Sequence, residues 1–346
     1  MDGGTEPRGA GAAVAGLDLG TNNCRLLVAE TSGAHLRVID SFSRAVRLGD
    51  GMERSGELDE DAMNRAVDAL RICADKLRKS RPAKMRAVAT AACRQAANGA
   101  AFVERVRRET GLTLEIISPE EESRLAVVGC GPLVDPSAEL VLVFDIGGGS
   151  TELVMLDVSD IAPKERAASV RAVGADPRVR IVDWVSIPVG VATMEDKFAE
   201  IDDPSRRFGL MTWYFEEMIE DFARAIAENG PAKRLMLIGA SGSITTIGAA
   251  HLGLRRYDRS RVDGLWLPLR AARRIARELA SLSDEARAHH PSIGADRARL
   301  IVAGCAILSA ILNVWPTHDL RVADRGLREG LIYTQSAVPQ RAGAGS

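Results

Sequence analysis

The sequence lacks the features on which disulfide-stapled, zinc-stapled or membrane-embedded proteins depend. Its five cysteines (Cys24, Cys73, Cys93, Cys130 and Cys305) are odd in number, scattered and never in a Cys-x-x-Cys pair, which argues against a disulfide framework or a zinc site. A reducing, cytoplasmic compartment is the expectation. An excess of either charge is also missing, since 45 Lys plus Arg stand against 47 Asp plus Glu. No global field therefore draws the chain to nucleic acid or to a membrane, and any polyanion must be held by a local basic lining. The longest nearly apolar stretch, Leu300 to Leu312, is shorter than the roughly 18 to 20 residues of a membrane span and reads as a buried helix. The N-terminus has no apolar core of signal-peptide type. Residues 1–13 and 337–346 read as flexible tails.

What is present suits a globular protein of about two domains, 346 residues at roughly 100 to 200 per domain, with 46% apolar and 27% charged residues. Ala15 to Leu19 and Cys24 to Glu30 are short and apolar around Gly20-Thr21-Asn22, as two strands joined by a tight turn are, and Leu36 to Phe42 completes a meander. Leu58 to Leu77 changes to helical period behind Asp59 as N-cap. Met85 to Thr90 predicts a strand, Ala100 to Glu109 a helix closed by Gly111, and Leu112 to Ile117 another strand. The two prolines of Pro132 to Pro136 mark an inter-domain connection. Beyond it Leu140 to Ile146 and Thr151 to Val158 flank the turn Gly147-Gly148-Gly149-Ser150. Ala162 to Arg178 has no clear period and is left as a loop; Ile181 to Pro188, a helix around Trp213 to Glu228, a strand at Arg234 to Ile238 and mostly helical sequence to Trp315 follow. The class is α/β.

Both turns place an Asp at a strand end, then an aliphatic residue, then glycine and small polar side chains: Asp18-Leu19-Gly20-Thr21-Asn22, and Asp145-Ile146-Gly147-Gly148-Gly149-Ser150-Thr151. Two such units suggest duplicated halves facing each other across a cleft. Glycine lets backbone N–H groups approach an anion closely, Thr21, Asn22, Ser150 and Thr151 add short donors, and an Asp at each strand end can hold a divalent cation. Hydrolysing a phosphoanhydride also needs a base for water. Glu120, Glu121 and Glu122 open a helix after Ser118-Pro119, where crowding raises carboxylate pKa values, although an acidic first turn complementing the helix dipole reads equally well. Arg94 can bind phosphate bidentately. Further cations for a polyanionic chain are sought among Arg44, Arg47, Arg255, Arg256, Arg259 and Arg261, of which about a third are expected to line a channel.

Gly16 to Asn23, Ala89 to Arg94, Ser118 to Arg124, Phe144 to Leu153 and Gly239-Ala240-Ser241-Gly242-Ser243 occur in the order seen in exopolyphosphatases and guanosine pentaphosphate phosphohydrolases, which the chain resembles from Ala15 to Thr334. Arg47 to Gly51, Val189 to Thr193 and Asp324 to Gly330 extend the likeness. The resemblance implies an actin-like ATPase superfold: two ribonuclease-H-like domains, one of residues 14–135 plus 318–336 and one of residues 138–317, enclosing an active cleft. It implies Glu122 as catalytic base, Asp145 and Glu152 binding Mg²⁺ or another divalent cation or ordering the water, and Asp18 as the opposing acidic group. Gly20, Thr21, Asn22 and Asn23 would hold phosphates together with Gly147 to Thr151; Arg94 would reach the chain further along, and Gly239 to Ser243 matches the superfold's nucleotide-side loop.

The family's usual Ser-Asn-Ser stands here as Thr21-Asn22-Asn23, and Pro119 and Glu120 differ from its common Gly and polar residue, so the working glutamate is open by one position. The histidine-aspartate domain of longer members is not expected, and His318-Asp319 and His289-His290 read as structural. Three readings follow: an exopolyphosphatase, a guanosine pentaphosphate 5′-phosphohydrolase, and an ATP-binding kinase or switch of the same superfold. No Walker A or kinase-type glycine loop is present to support other nucleotide folds. A homodimer is the default expectation.

Overall fold

The computed structural model describes residues 12–32, 35–228 and 233–336. The tails expected at 1–13 and 337–346 lie, but for residues 12 and 13, outside the described residues. The strands are β1 (Val14–Leu19), β2 (Asn23–Ser32), β3 (His35–Ala45), β4 (Lys84–Ala89), β5 (Glu115–Ile116), β6 (Leu140–Ile146), β7 (Thr151–Asp157), β8 (Arg180–Ile187), β9 (Leu235–Ala240), β10 (Trp266–Pro268) and β11 (Asp319–Ala323). They form two sheets, in the orders β3-β2-β1-β4-β5 and β10-β11-β9-β6-β7-β8.

The sheets repeat one plan. In each, an antiparallel hairpin (β1/β2, β6/β7) is joined by a further antiparallel strand on one side and a parallel strand on the other, β4 beside β1 and β9 beside β6. Every residue of β7 is buried because both faces of its sheet are covered, Leu153 and Met155 packing with Met211 and Phe215 on one side and Val154 and Leu156 with Val127 and Val170 on the other. The Glu60–Ser80 helix covers part of the first sheet with Ala66, Val67, Leu70, Cys73 and Leu77, and Asp59 caps it by accepting from the Asp61 and Ala62 amides.

Two helices join the halves. Pro119–Cys130 starts where sequence chemistry places it: Ser118 Oγ accepts from the Glu121 amide at 3.2 Å, with Pro119 in the first turn. Leu327–Ser336 packs across it so tightly that a β-carbon at Gly330 would stand 2.0 Å from the Leu125 carbonyl oxygen, and one at Gly129 1.9 Å from that of Gly326. Leu125, Leu327 and Leu331 fill the space beneath Val88 and Ile117 of the first half, while Val127, Val128 and Cys130 join Val141 and Val143 of the second.

Several expectations are corrected. Residues 319–323, expected in the first domain, form β11 in the second sheet, parallel to β9; only the helix after them returns to the first half. The expected strand Leu112 to Ile117 shrinks to Glu115–Ile116, because β4 offers pairing partners only at Val88 and Ala89. The stretch left as a loop contains a helix, Arg166–Arg171, anchored by the buried Arg166 guanidinium donating to Ile161 O at 3.0 Å and Pro136 O at 2.8 Å. The apolar run near Leu300 is the buried helix Ile301–Val314. All five cysteines are free and buried, and no helix among the described residues is long and apolar enough to cross a membrane.

Candidate active site

The hairpin loops of β1/β2 and β6/β7 close in the same way: Gly20 N donates to Asn23 O, and Gly147 N to Ser150 O, each at 2.9 Å. They meet between the halves. A β-carbon at Gly149 would lie 2.7 Å from Thr21 Oγ1, and one at Gly148 3.1 Å from Asn22 N, so only glycine permits this approach. The loop carbonyls are tied back: Asn22 O accepts from Val46 N and Arg47 N, Thr21 O from Gly49 N, Gly147 O from Val191 N and Gly148 O from Ala192 N. The amides of Thr21, Asn22, Gly148 and Gly149 have no acceptor among the described residues. Such unpaired amides form anion-binding concavities.

The loops wall a cavity of about 450 Å³ into which Asp18, Glu122, Asp145 and Glu152 converge. Asp145 faces Glu152 across the β6/β7 register, and in the matching place Asp18 faces Arg25 across β1/β2. Burial pushes Asp145 up to about 7, with Glu152 and Asp18 adding to it and Arg25 and Arg328 opposing. Asp18 is raised by burial against the pull of Arg25 and Arg328. Burial likewise raises Glu152, opposed by the hydroxyls of Ser150 and Ser186, the latter donating at 3.0 Å. Glu122 is lifted well above the usual carboxylate range by burial and by Glu152. Four acids held toward their neutral forms in one hollow make a site that favours cations and can accept protons near neutral pH.

Of the three adjacent glutamates, the helix turns only Glu122 to the cavity. Glu120 is exposed, and Glu121 is bound by Arg86 at 2.7 Å and by Arg124, which hold it below the ordinary range despite burial. The crowding expected among neighbours on the helix comes instead from Glu152 and Asp18 across the cleft. Arg94 is also corrected: its Nη1 donates to Ile117 O at 2.8 Å and Glu122 Oε2 at 3.1 Å, so it holds the glutamate and does not line the cavity.

Gly20 to Asn23, Gly147 to Ser150 and Ser241 to Ser243 line the cavity as expected. Thr151 does not, because its hydroxyl donates to Val189 O at 2.7 Å; nor does Gly239, which lies inside β9 where a β-carbon would meet the Phe144 ring at 2.6 Å. Ala240 borders only a smaller adjoining hollow. Of the seven arginines considered for the polyanion, only Arg44 lines the cavity. Arg259 is taken by Glu329 at 2.6 Å. The sequence reading missed Arg25 and Arg297, which do line it. A signal for Arg25 existed: it follows Asp18 by the same seven residues that separate Glu152 from Asp145.

Among the described residues no three His, Cys, Asp or Glu side chains converge closely enough to cage a metal by themselves. The donor set fits a cation of the magnesium kind, which takes one or two carboxylates and completes its shell with water and substrate phosphate. Asp18 and Asp145 would offer oxygen donors to such a cation, with Glu152 behind, and Gly326 leaves room beside Asp145 Oδ2, where a β-carbon would stand 3.4 Å away.

The model of the Ppx/GppA phosphatase family matches residues 27–337. The crystal structure of the Aquifex aeolicus member of the Ppx/GppA protein family is 27% identical, with a TM-score of 0.73, covering 94% of this chain and 97% of its own. An exopolyphosphatase-like protein is 26% identical, with a TM-score of 0.79, over 94% of this chain and all of its own. An exopolyphosphatase from Cytophaga hutchinsonii shares the fold at 24% identity, with a TM-score of 0.80, over 93% of this chain and 97% of its own.

Proposed function

Because the chain belongs to the Ppx/GppA phosphatase family, we propose that it removes the terminal phosphate from inorganic polyphosphate, with Glu122 as the base. The observation that carries this reading is the convergence of four carboxylates, Glu152 buried and Asp18, Glu122 and Asp145 half-buried, and two unpaired-amide loops on one cavity. The terminal phosphoryl oxygens accept from the loop amides, and Arg25, Arg44 and Arg297 accompany the following units of the chain. Glu122, raised by burial and aimed by Arg94, takes a proton from water as the water oxygen attacks phosphorus in line. The bond to the bridging oxygen breaks, the shortened chain keeps the electron pair, and Glu122 returns its proton to solvent. Asp18 and Asp145 would hold a divalent cation, which would supply positive charge against the charge growing on the phosphoryl oxygens.

The lining distinguishes substrates. None of its residues among those described is aromatic, so a guanine base has no ring to stack on, whereas a bare phosphate chain needs none. The free, buried cysteines support a cytoplasmic setting. The test compares phosphate release from polyphosphate and from guanosine pentaphosphate under one set of metal conditions, in wild type and Glu122→Gln. Polyphosphate is turned over with the higher kcat/KM, and the variant loses roughly 10² to 10⁴ in kcat while still binding the chain. Preference for the guanosine substrate overturns the assignment of substrate; a fully active variant overturns that of the base.

A further inference from the structure

Behind the carboxylates lies a second, smaller hollow, and we propose that it is a separate site for the orthophosphate ion released by the reaction; the proposal rests on the phosphatase reading above. Asp18, Arg25, Asp145 and Arg297 border both spaces, so the two communicate at the acidic pair. Their sizes differ in the way the two ligands do. The large cavity of about 450 Å³ admits a length of chain, whereas the small one, about 60 Å³, holds about four water-sized spheres, room for one tetrahedral oxyanion and not for a second phosphoryl unit.

Its walls are built for an anion. Two ten-residue helices, Gly242–His251 and Leu327–Ser336, begin on it, bringing the positive ends of their backbone dipoles. Arg328, in the first turn of the second helix, borders only this hollow. Its side chain is 14% exposed and its nearest acid oxygen, on Glu329, is 3.9 Å away, so the guanidinium makes no hydrogen bond among the described residues. Arg25 makes no side-chain hydrogen bond among them either.

The acids around the hollow are already answered. Glu329 accepts from Arg259 Nη2 at 2.6 Å and from the Gly326 amide at 3.0 Å; Asp324 accepts from the Tyr257 hydroxyl at 2.6 Å. Arg325, also on the wall, is held by Asp263. Asp18 and Asp145 face Arg25 and Arg328, whose positive charge opposes the upward effect of burial on both acids. Two guanidinium groups with donors left over in a half-enclosed space call for an oxyanion.

Asp324 and Arg325, on the wall of the hollow, are partly exposed, and we place the way out to solvent beside them. Product can therefore leave on that side while the shortened chain keeps its hold on the loop amides, and the next terminal unit advances without the chain letting go.

The test measures binding of inorganic phosphate to the whole protein by calorimetry, with and without a saturating imido-linked triphosphate that cannot be hydrolysed, and inhibition of polyphosphate cleavage by added phosphate. Phosphate binds with nearly the same affinity in the presence of the analogue, inhibition is mixed, and Arg328→Gln weakens phosphate binding at least fivefold. Arg328→Lys, which keeps a charge and guards against a folding failure in the first variant, falls between the two. Displacement of phosphate by the analogue mole for mole with purely competitive inhibition, or a full phosphate affinity in Arg328→Gln, overturns the proposal. Absence of phosphate release from any chain overturns the phosphatase reading instead, and leaves the binding measurement standing.

Discussion

Asp145 is a carboxyl that the fold holds at a cost. Pushed up to about 7 by burial and by Glu152, it stabilises the fold fully only below the ordinary carboxylate range, and that contribution is lost as pH rises through 7. Asp145→Asn removes the ionisable group. The variant is therefore more stable than wild type by about 1 to 3 kcal/mol at pH 8, equal to it at pH 4, and inactive, which urea melts at the two pH values and a phosphate-release assay check. Added magnesium narrows the gap at pH 8. The pairing of Asp with a turn was readable in the chain, and so was the acidic triplet; that Glu122 rather than Glu120 or Glu121 faces the cavity was implied by the family resemblance and not by the triplet itself. Successive helix positions point in different directions, and only the placement of Arg86 and Arg124 shows that Glu121 is already engaged. Arg94 misled for the same reason, since a long side chain ends where its partners are, here at Glu122 and the Ile117 carbonyl.

The helices Pro119–Cys130 and Leu327–Ser336 set the distance between the two halves. Their backbones touch at Gly129 and Gly330, and the first carries Glu122 while the second begins beside Gly326, which lies against Asp145. Gly330→Ala inserts a methyl group 2.0 Å from the Leu125 carbonyl oxygen, so the helices must separate. We expect a loss of about 1 to 3 kcal/mol in denaturant unfolding and at least a tenfold drop in kcat; an unchanged kcat would show that the crossing does not govern the cleft. The start of Pro119–Cys130 was legible because Ser-Pro-Glu is local chemistry. The Arg166–Arg171 helix was not, since six residues depend on an Arg166 anchor that reaches the nearby Ile161 carbonyl and the distant Pro136 carbonyl. Five-residue β11 does alternate, Asp319-Leu320-Arg321-Val322, but so short a run does not say which sheet it joins, and its neighbours are made elsewhere in the chain.

Across the whole molecule, near-neutral net charge coexists with a cavity edged by Arg25, Arg44 and Arg297. Attraction for a long polyanion is thus local, and it is screened once the Debye length falls from about 14 Å to about 4 Å. Between 50 and 500 mM potassium chloride, kcat/KM on long polyphosphate falls about five- to tenfold; a flat response would count against these arginines as the chain's path. Duplication was readable at this scale from two short turns, because a turn's glycine and acid are fixed by its own geometry. The division of the chain between the halves was not, for the second half borrows its sixth strand from residues that lie just before the returning helix. That return has a consequence during synthesis. Leu331 and Ile332 close the underside of the first half against Val88, Val14 and Leu27, yet they are among the last described residues to be made. The first half therefore keeps an open greasy floor long after its own five strands have been made, until the closing helix arrives to cover it.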